Sequence, residues 1–139
     1  MKKTIQFLKS LLHSNDSVVI ACSGGPDSMC LLSLLLSIRA ELNLNLIVAH
    51  VNHKVRQEAE EEAHFVKKYA QDHQCQFFYL ELPPNSKENF ESYARAKRYE
   101  FFREVVEKNH AQYLCTAHHG DDLIETILMR LTRGSNLKG

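Results

Sequence analysis

The stretch that decides the fold of this chain is Ser23-Gly24-Gly25-Pro26-Asp27-Ser28. It directly follows the short apolar run 17–22, which is rich in β-branched residues and predicts a buried strand. Its two glycines allow a tight turn and a close approach of the backbone to a ligand. Pro26 suits the first turn of a helix. The sequence therefore predicts a strand, a glycine-rich loop and the start of a helix.

This arrangement directs backbone N–H groups and the positive end of a helix dipole at one spot, which favours an anion. Ser23 and Ser28 add hydroxyl donors. The Asp27 carboxylate would be repelled by bound phosphates unless a cation such as Mg²⁺ lay between them. The loop fits neither the Walker A pattern nor Gly-x-Gly-x-x-Gly. We therefore predict a phosphate site at residues 23–28, with Asp27 as its magnesium ligand.

Loop 23–28 resembles the pyrophosphate loop of the N-type ATP pyrophosphatases, whose pattern is Ser-Gly-Gly-x-Asp-Ser. The resemblance implies that the six residues hold the β- and γ-phosphates of ATP while the α-phosphate is attacked and pyrophosphate leaves. It also implies the adenine nucleotide hydrolase-like fold of PP-loop proteins. The alternative is a glycine-rich turn that binds no ligand.

Composition fits one compact domain without pointing to a partner. The chain has 139 residues, of which 44% are hydrophobic, and its 17 basic and 17 acidic residues give a net charge of zero. No apolar run is long enough to cross a bilayer. The four cysteines form no Cys-x-x-Cys pair, which gives zinc or iron–sulfur binding little support. We expect a reduced, cytoplasmic protein with no membrane partner.

Strands and helices alternate along the chain, and this order predicts an α/β fold: a doubly wound parallel sheet with helices on both faces. The predicted strands are 17–22, 45–51, 76–82 and 112–117, and the predicted helices are 4–13, 27–42, 56–74, 87–109 and 121–132. In such a sheet, ligands bind outside the carboxyl ends of the strands. The polar motifs of this chain follow strands one, two and four, at that edge.

The second strand ends in His50-Val51-Asn52-His53. This segment is expected beside loop 23–28, where an adenosine could sit. We expect His50 and Val51 to contribute to the nucleotide site, with backbone atoms around Val51 reading the adenine edge. The alternative is two surface histidines in a polar loop.

The long helix after the third strand carries Glu91, Arg95 and Arg98 on one face. An exposed ion pair is one interpretation of that face. The other is a guanidinium aimed at phosphate, for which the rigid fork of arginine is well suited. We favour Arg98 as the phosphate ligand, with Arg95 next and Glu91 as the residue that holds the face together.

The segment after the fourth strand contains His118, Asp121 and Asp122. The helix dipole alone favours acidic residues in the first turn of a helix, and this is the alternative explanation for Asp121 and Asp122. A carboxylate and an imidazole could also receive the cationic end of an amino acid or position its attacking amine.

Four motifs in order are similar to those of the tRNA(Ile)-lysidine synthetases, one family of N-type ATP pyrophosphatases. They are loop 23–28, the His-Val-x-His-x-x-Arg segment 50–56, the Glu-x-x-Ala-Arg-x-x-Arg-Tyr segment 91–99, and the His-His-x-Asp-Asp-x-x-Glu-Thr segment 118–126. Asn52 and Lys54 stand where the family often has Asp and Gly. Family members continue beyond the equivalent of Gly139, so residues 1–139 are expected to form a PP-loop domain truncated at its C-terminal end.

The resemblance implies an ATP- and Mg²⁺-dependent ligase. The wobble cytidine of the isoleucine tRNA with a CAU anticodon would be adenylated, and L-lysine would displace AMP to give lysidine. Arg98 or Arg95 would then steady the α-phosphate, and His118 and Asp122 would handle lysine. Asp27, Arg95, Arg98, His118 and Asp122 are the predicted catalytic residues.

Two other functions stay open. A related tRNA thiolase would need a Cys-x-x-Cys pair or a reactive cysteine, for which Cys115, near the fourth strand end, is the candidate. A nucleotide-binding module without catalysis, like the universal stress proteins, would not need Asp27 or the pair His118 and Asp122.

Overall fold

The computed structural model describes residues 2–22, 25–52, 58–82, 90–119 and 124–130. Within residues 2–119 of these ranges the alternation of helices and strands predicted from the sequence is confirmed. The elements, in chain order, are α1 (Lys2–Leu11), β1 (Ser17–Ala21), α2 (Pro26–Leu42), β2 (Asn45–Asn52), α3 (Glu58–Asp72), β3 (Gln76–Glu81), α4 (Phe90–Asn109), β4 (Tyr113–His119) and β5 (Ile124–Arg130).

The strands form one sheet in the order β3-β2-β1-β4-β5, of which the first four are parallel. At the centre, Val19 of β1 lies between Ile47 of β2 and Leu114 of β4. The chain builds outward from β1 to β3 and then returns to place β4 on the other side of β1. The carboxyl ends of β1 and β4 therefore flank the crevice where ligands bind in open α/β sheets.

Helices cover both faces of the sheet, as predicted. Val18, Ile20 and Val48 point to the face covered by α1, α2 and α3, where Leu32 and Leu35 of α2 are fully buried. The opposite face is covered by α4. There the buried side chains include Val19, Ile47, Ala49, Leu114, Ala94, Phe102, Val105 and Val106.

The prediction of a helix over 121–132 is wrong for residues 124–130, and the other residues of that range lie outside the described residues. Residues 124–130 form strand β5, which pairs antiparallel to β4, with His119 opposite Ile124. The apolar spacing of this segment fits a helix, but its β-branched residues Ile124, Thr126 and Ile127 also suit a strand. Only four residues separate the two strands in the sequence, and so short a link permits only antiparallel pairing. β5 thus supplies hydrogen-bond partners for an edge of β4 that the parallel sheet alone would leave open.

The turns that follow α2, α3 and α4, at the amino-terminal edge of the sheet, share one geometry without using glycine. Asn43, Gln74 and His110 each follow a helix with a positive φ of 52°, 55° and 52°. In each case the N–H of the following residue donates to the carbonyl five residues before it, as Cys75 N–H does to the Ala70 carbonyl oxygen at 2.8 Å. This is the Schellman ending of a helix, in which glycine is the residue with least strain. In the described part of the chain, no helix is both long and apolar enough to cross a membrane.

This geometry predicts that substitution by glycine changes the free energy of unfolding in opposite directions at two glutamines of α3 and its C-terminal turn. Gln74→Gly should stabilise the fold by about 0.5–1 kcal/mol, because glycine adopts a positive φ without strain. Gln71→Gly, three residues earlier inside the exposed last turn of α3, should destabilise it by about 0.5–1 kcal/mol. Urea unfolding of both variants measures the difference. A loss of stability in Gln74→Gly would contradict the role assigned to this turn.

Candidate functional site

The junction of β1 and α2 has the form expected of a phosphate-binding loop. Gly25 is the N-cap of α2, with extended φ and ψ of −76° and 167° and no side-chain cap, and Pro26 follows at the first helical position. The first backbone bond of the helix runs from the Met29 N–H to the Gly25 carbonyl at 3.1 Å. The earlier N–H groups of any helix point out of its end. Because Gly25 has no Cβ, an anion can approach this end closely.

Ser28 closes the first turn of α2. It is buried, and its hydroxyl donates to the Gly25 carbonyl at 3.2 Å. This bond braces the loop against the helix. Of the other predicted loop residues, Ser23 and Gly24 lie outside the described residues. So does the side chain of Asp27, whose backbone is in the first turn of α2.

His50 is not a surface histidine. Its side chain is 2% exposed at the carboxyl end of β2. Its Nδ1 lies 2.7 Å from the carbonyl oxygen of Cys22, and its ring stacks on that of Tyr79 with centroids 6.0 Å apart. Val51, the next residue, belongs to the cluster on the α4 face. The surface alternative is therefore excluded for His50, while His53 lies outside the described residues.

A polar network surrounds His50 that the sequence did not lead us to expect. Asn52 is 1% exposed, and its Nδ2 donates to the Tyr79 hydroxyl at 2.8 Å. The Tyr79 hydroxyl in turn faces Glu81 Oε1 at 3.4 Å. The signal was present in the sequence, since polar residues at 50 and 52 interrupt an apolar strand on the same face.

The two arginines of α4 differ in their surroundings. Arg98 lies one turn from Ala94 and one turn from Phe102, which are both buried against the sheet, and it is itself half-buried. Arg95 is exposed. The guanidinium carbons of Arg95 and Arg98 lie 5.7 and 5.8 Å from the ring centroid of Tyr99. The Glu91 side chain lies outside the described residues, so its predicted pairing stays a prediction.

The fourth strand ends at the same edge as the first two. β4 extends to His119, with His118 opposite Glu125 of β5. The side chain of His118 and the whole of Asp122 lie outside the described residues. Because residues 124–130 form a strand, the helix-dipole explanation offered for Asp121 and Asp122 has no support from that segment.

The cysteines of the chain are all free; Cys22 and Cys115 are buried, whereas Cys30 in α2 is half-buried. Burial raises the pKa of the Cys22 thiol to about 12, with a smaller contribution from Cys75. Burial likewise raises the pKa of Cys115, whose side chain is fully buried. Such thiols stay protonated and are poor nucleophiles. Among the described residues, no three His, Cys, Asp or Glu side chains are grouped to hold a metal ion.

Taken together, the carboxyl edge of the sheet places an open helix N-terminus beside the ends of β1, β2 and β4. Arg98, which is half-buried, lies on α4, the helix that covers one face of the sheet. Helix N-termini and arginines are both suited to phosphate groups. The described residues at the start of α2 are therefore compatible with a phosphate group.

Known relatives support this interpretation. The chain is 44% identical over 135 residues to a tRNA(Ile)-lysidine synthase from Geobacillus kaustophilus, covering 93% of this chain and 29% of that protein. It is 44% identical over 123 residues to the enzyme of the same name from Enterococcus faecalis, covering 88% of this chain and 27% of that protein. The chain thus spans under a third of the length of these curated relatives.

A solved structure with a similar fold is the U34-tRNA thiolase NcsA from Methanococcus maripaludis with its [4Fe-4S] cluster. The TM-score is 0.69 at 19% sequence identity, over 83% of this chain and 43% of that one. At this identity the likeness establishes the fold alone. The sequence profile of the PP-loop domain family matches residues 1–139. The chain therefore belongs to the PP-loop domain family.

Proposed function

We propose that this chain is the ATP-binding part of a ligase that joins L-lysine to the wobble cytidine of the isoleucine tRNA with a CAU anticodon. The observation that carries the proposal is the 44% identity to tRNA(Ile)-lysidine synthases over nearly the whole chain. Pyrophosphate release from ATP by the full-length protein tests it. Release should require this tRNA; the first turnover should not require lysine, whereas continued turnover should, because lysine displaces AMP in the second step. Release without the tRNA, or turnover that lysine does not sustain, would overturn the substrate assignment.

The reaction has two steps. In the first, O2 of the cytidine attacks the α-phosphorus of ATP, the bond to the β-phosphate breaks, and pyrophosphate leaves. In the second, the neutral ε-amine of lysine attacks C2, and the bond from C2 to the AMP oxygen breaks. A carboxylate near the amine can accept the proton that it loses. The protein contributes chiefly positioning and charge neutralisation.

Loop 23–28 is proposed to hold the β- and γ-phosphates at the N-terminus of α2. Support comes from Gly25, which caps that helix without a side chain, and from Pro26 at its first position. Asp27 is proposed to hold Mg²⁺, which would neutralise charge on the triphosphate. His50 and Val51 are proposed to lie at the adenosine end of the nucleotide.

Arg98 is the proposed α-phosphate ligand, and Arg95 is the second candidate. Arg98 lies on the sheet-facing stripe of α4, while Arg95 is exposed. An arginine on an apolar face buries the apolar part of its side chain and extends its guanidinium into a polar region. His118 and Asp122 are proposed to handle lysine, on the strength of their family motif.

The thiolase alternative is weakened because Cys115, its candidate nucleophile, is buried with a raised pKa. The alternative of a non-catalytic nucleotide-binding module would predict ATP binding without any tRNA-dependent pyrophosphate release. We place the enzyme in the cytoplasm, where its tRNA substrate is found, and the four free cysteines are compatible with reducing conditions.

The proposed role of Asp27 predicts that Asp27→Asn in the full-length protein lowers pyrophosphate release by orders of magnitude and leaves the thermal midpoint unchanged. The amide cannot neutralise Mg²⁺ as the carboxylate does. Asp72→Asn is the matched control, since Asp72 is exposed at the far end of α3 and should have no effect. A folded Asp27→Asn protein with normal release would contradict the role.

The two arginines are separated by comparing Arg98→Ala, Arg95→Ala and Arg103→Ala. Loss of a phosphate ligand that acts in the transition state should raise the barrier by about 2.7–4 kcal/mol. Arg103 pairs with Glu107 at 3.6 Å on an exposed part of the same helix. Its removal should cost under ~0.5 kcal/mol of stability and no rate. Steady-state rates decide: an inactive Arg95→Ala beside a normal Arg98→Ala would reverse the assignment, and two normal variants would refute the phosphate role.

Residues 1–139 alone are expected to bind ATP with Mg²⁺ but not to modify tRNA. Specific nucleic-acid interfaces bury roughly 1,000–2,500 Å² and are strongly positive, whereas this chain has a net charge of zero. Calorimetry should detect ATP binding that Asp27→Asn weakens, and labelled lysine should not enter tRNA. Incorporation at the full-length rate would show that the tRNA site lies within these residues. Absence of ATP binding would show that the nucleotide site needs further chain.

A further inference from the structure

We infer that His50 is a positioning residue for the nucleotide loop and acts through the carbonyl of Cys22. Cys22 immediately precedes Ser23, the first residue of the loop. The imidazole Nδ1 lies 2.7 Å from that carbonyl oxygen, and the His50 side chain is 2% exposed. The inference rests on the proposed function, in which loop 23–28 holds the phosphates of ATP.

The hydrogen bond fixes the tautomer of the ring. A carbonyl oxygen only accepts, so Nδ1 must carry the proton that is donated to Cys22. Cys22 is itself buried, with 2% of its surface exposed. Removing the ring nitrogen would therefore leave a buried carbonyl without this bond, which costs more than the bond contributes when it is formed.

This bond extends the pairing of β1 and β2 past the end of β1. The ladder of paired residues ends with Ala21 opposite Ala49. Beyond it, the N–H of Cys22 donates to the Ala49 carbonyl at 2.9 Å, and its carbonyl accepts from the His50 ring. Two consecutive residues of β2 thus hold both polar groups of Cys22, at the last residue before the chain leaves the sheet for the loop.

The ring is itself held in place from β3. Tyr79 stacks on it nearly parallel, at an interplanar angle of 13°. Asn52 Nδ2 donates to the Tyr79 hydroxyl at 2.8 Å, and that hydroxyl faces Glu81 Oε1 at 3.4 Å. The contacts connect β3 to β2, and β2 to the start of the loop. Val48, two positions earlier on the same face of β2, is an apolar core residue. An apolar residue at position 50 could fill the same space as His50, but it could not donate a hydrogen bond to the Cys22 carbonyl.

A matched pair of amides in the full-length enzyme isolates the bond. His50→Asn places its side-chain N–H near the position of Nδ1, whereas the longer His50→Gln places it near Nε2. We expect His50→Gln to raise the KM for ATP at least about tenfold, as loss of one buried hydrogen bond predicts. His50→Asn should remain within about threefold of wild type on the same basis. The KM for lysine should not change in either variant.

A merely structural role for His50 gives a different pattern. It would lower the thermal midpoint and the active fraction, and therefore kcat, with the KM for ATP unchanged in both variants. That pattern, or equal effects of Asn and Gln, would overturn the inference. A wild-type enzyme that binds ATP but makes no lysidine would refute the proposed function instead, and ATP affinities of the two variants would then decide the inference.

Two further measurements do not depend on the stability of the His50 variants. The ¹⁵N spectrum of the wild-type His50 ring should show the Nδ1-protonated tautomer, and protonation at Nε2 alone would overturn the inference. Tyr79→Phe keeps the ring and removes the hydroxyl at a site that is 39% exposed. It should raise the KM for ATP in the same direction as His50→Gln, by a smaller factor. An unchanged KM would refute the contribution of β3.

Discussion

The burial of β1 on both faces is the constraint on which the rest of the structure depends. Val18 and Ile20 point to one helical layer and Val19 to the other, and all three are fully buried. A strand of this kind needs neighbours on both sides and helices above and below, which parallel strands with helical connections supply. Parallel order then brings every carboxyl end to one edge of the sheet. The site follows from that placement.

The two edges of the sheet use their backbone differently. At the amino-terminal edge, helices end on Asn43, Gln74 and His110 in the left-handed region, with modest strain in ordinary side chains. At the carboxyl edge, the chain places Gly25 where α2 begins. A Cβ there would stand between the helix end and an anion. Glycine is therefore found where the proposed phosphate loop meets α2, and strain is accepted where only a turn is needed.

Polar residues at apolar positions mark the site within the regular elements. His50 and Asn52 continue the face of β2 that carries Val48, and Arg98 continues the stripe of α4 that carries Phe102. In each case the period of the element predicts a core residue, and His50 and Asn52 lie near the carboxyl end of β2. A buried polar group is costly unless it is bonded. The bonds of His50 to Cys22 and of Asn52 to Tyr79 meet that cost.

The amino-acid sequence by itself determined the alternation of strands and helices as far as β4, the start of α2 at Gly25 and Pro26, and the edge of the sheet at which β1, β2 and β4 end. These depend on local periodicity, on glycine and proline chemistry, and on the direction of parallel strands. Only the tertiary structure decided the strand order, the burial of His50 and the difference between Arg98 and Arg95. It also decided that residues 124–130 form strand β5. The spacing of apolar residues in this segment fits a helix, but pairing with the open edge of β4 stabilises a strand. Such outcomes depend on contacts between residues far apart in the chain, such as Cys22 with His50, which local sequence pattern does not encode.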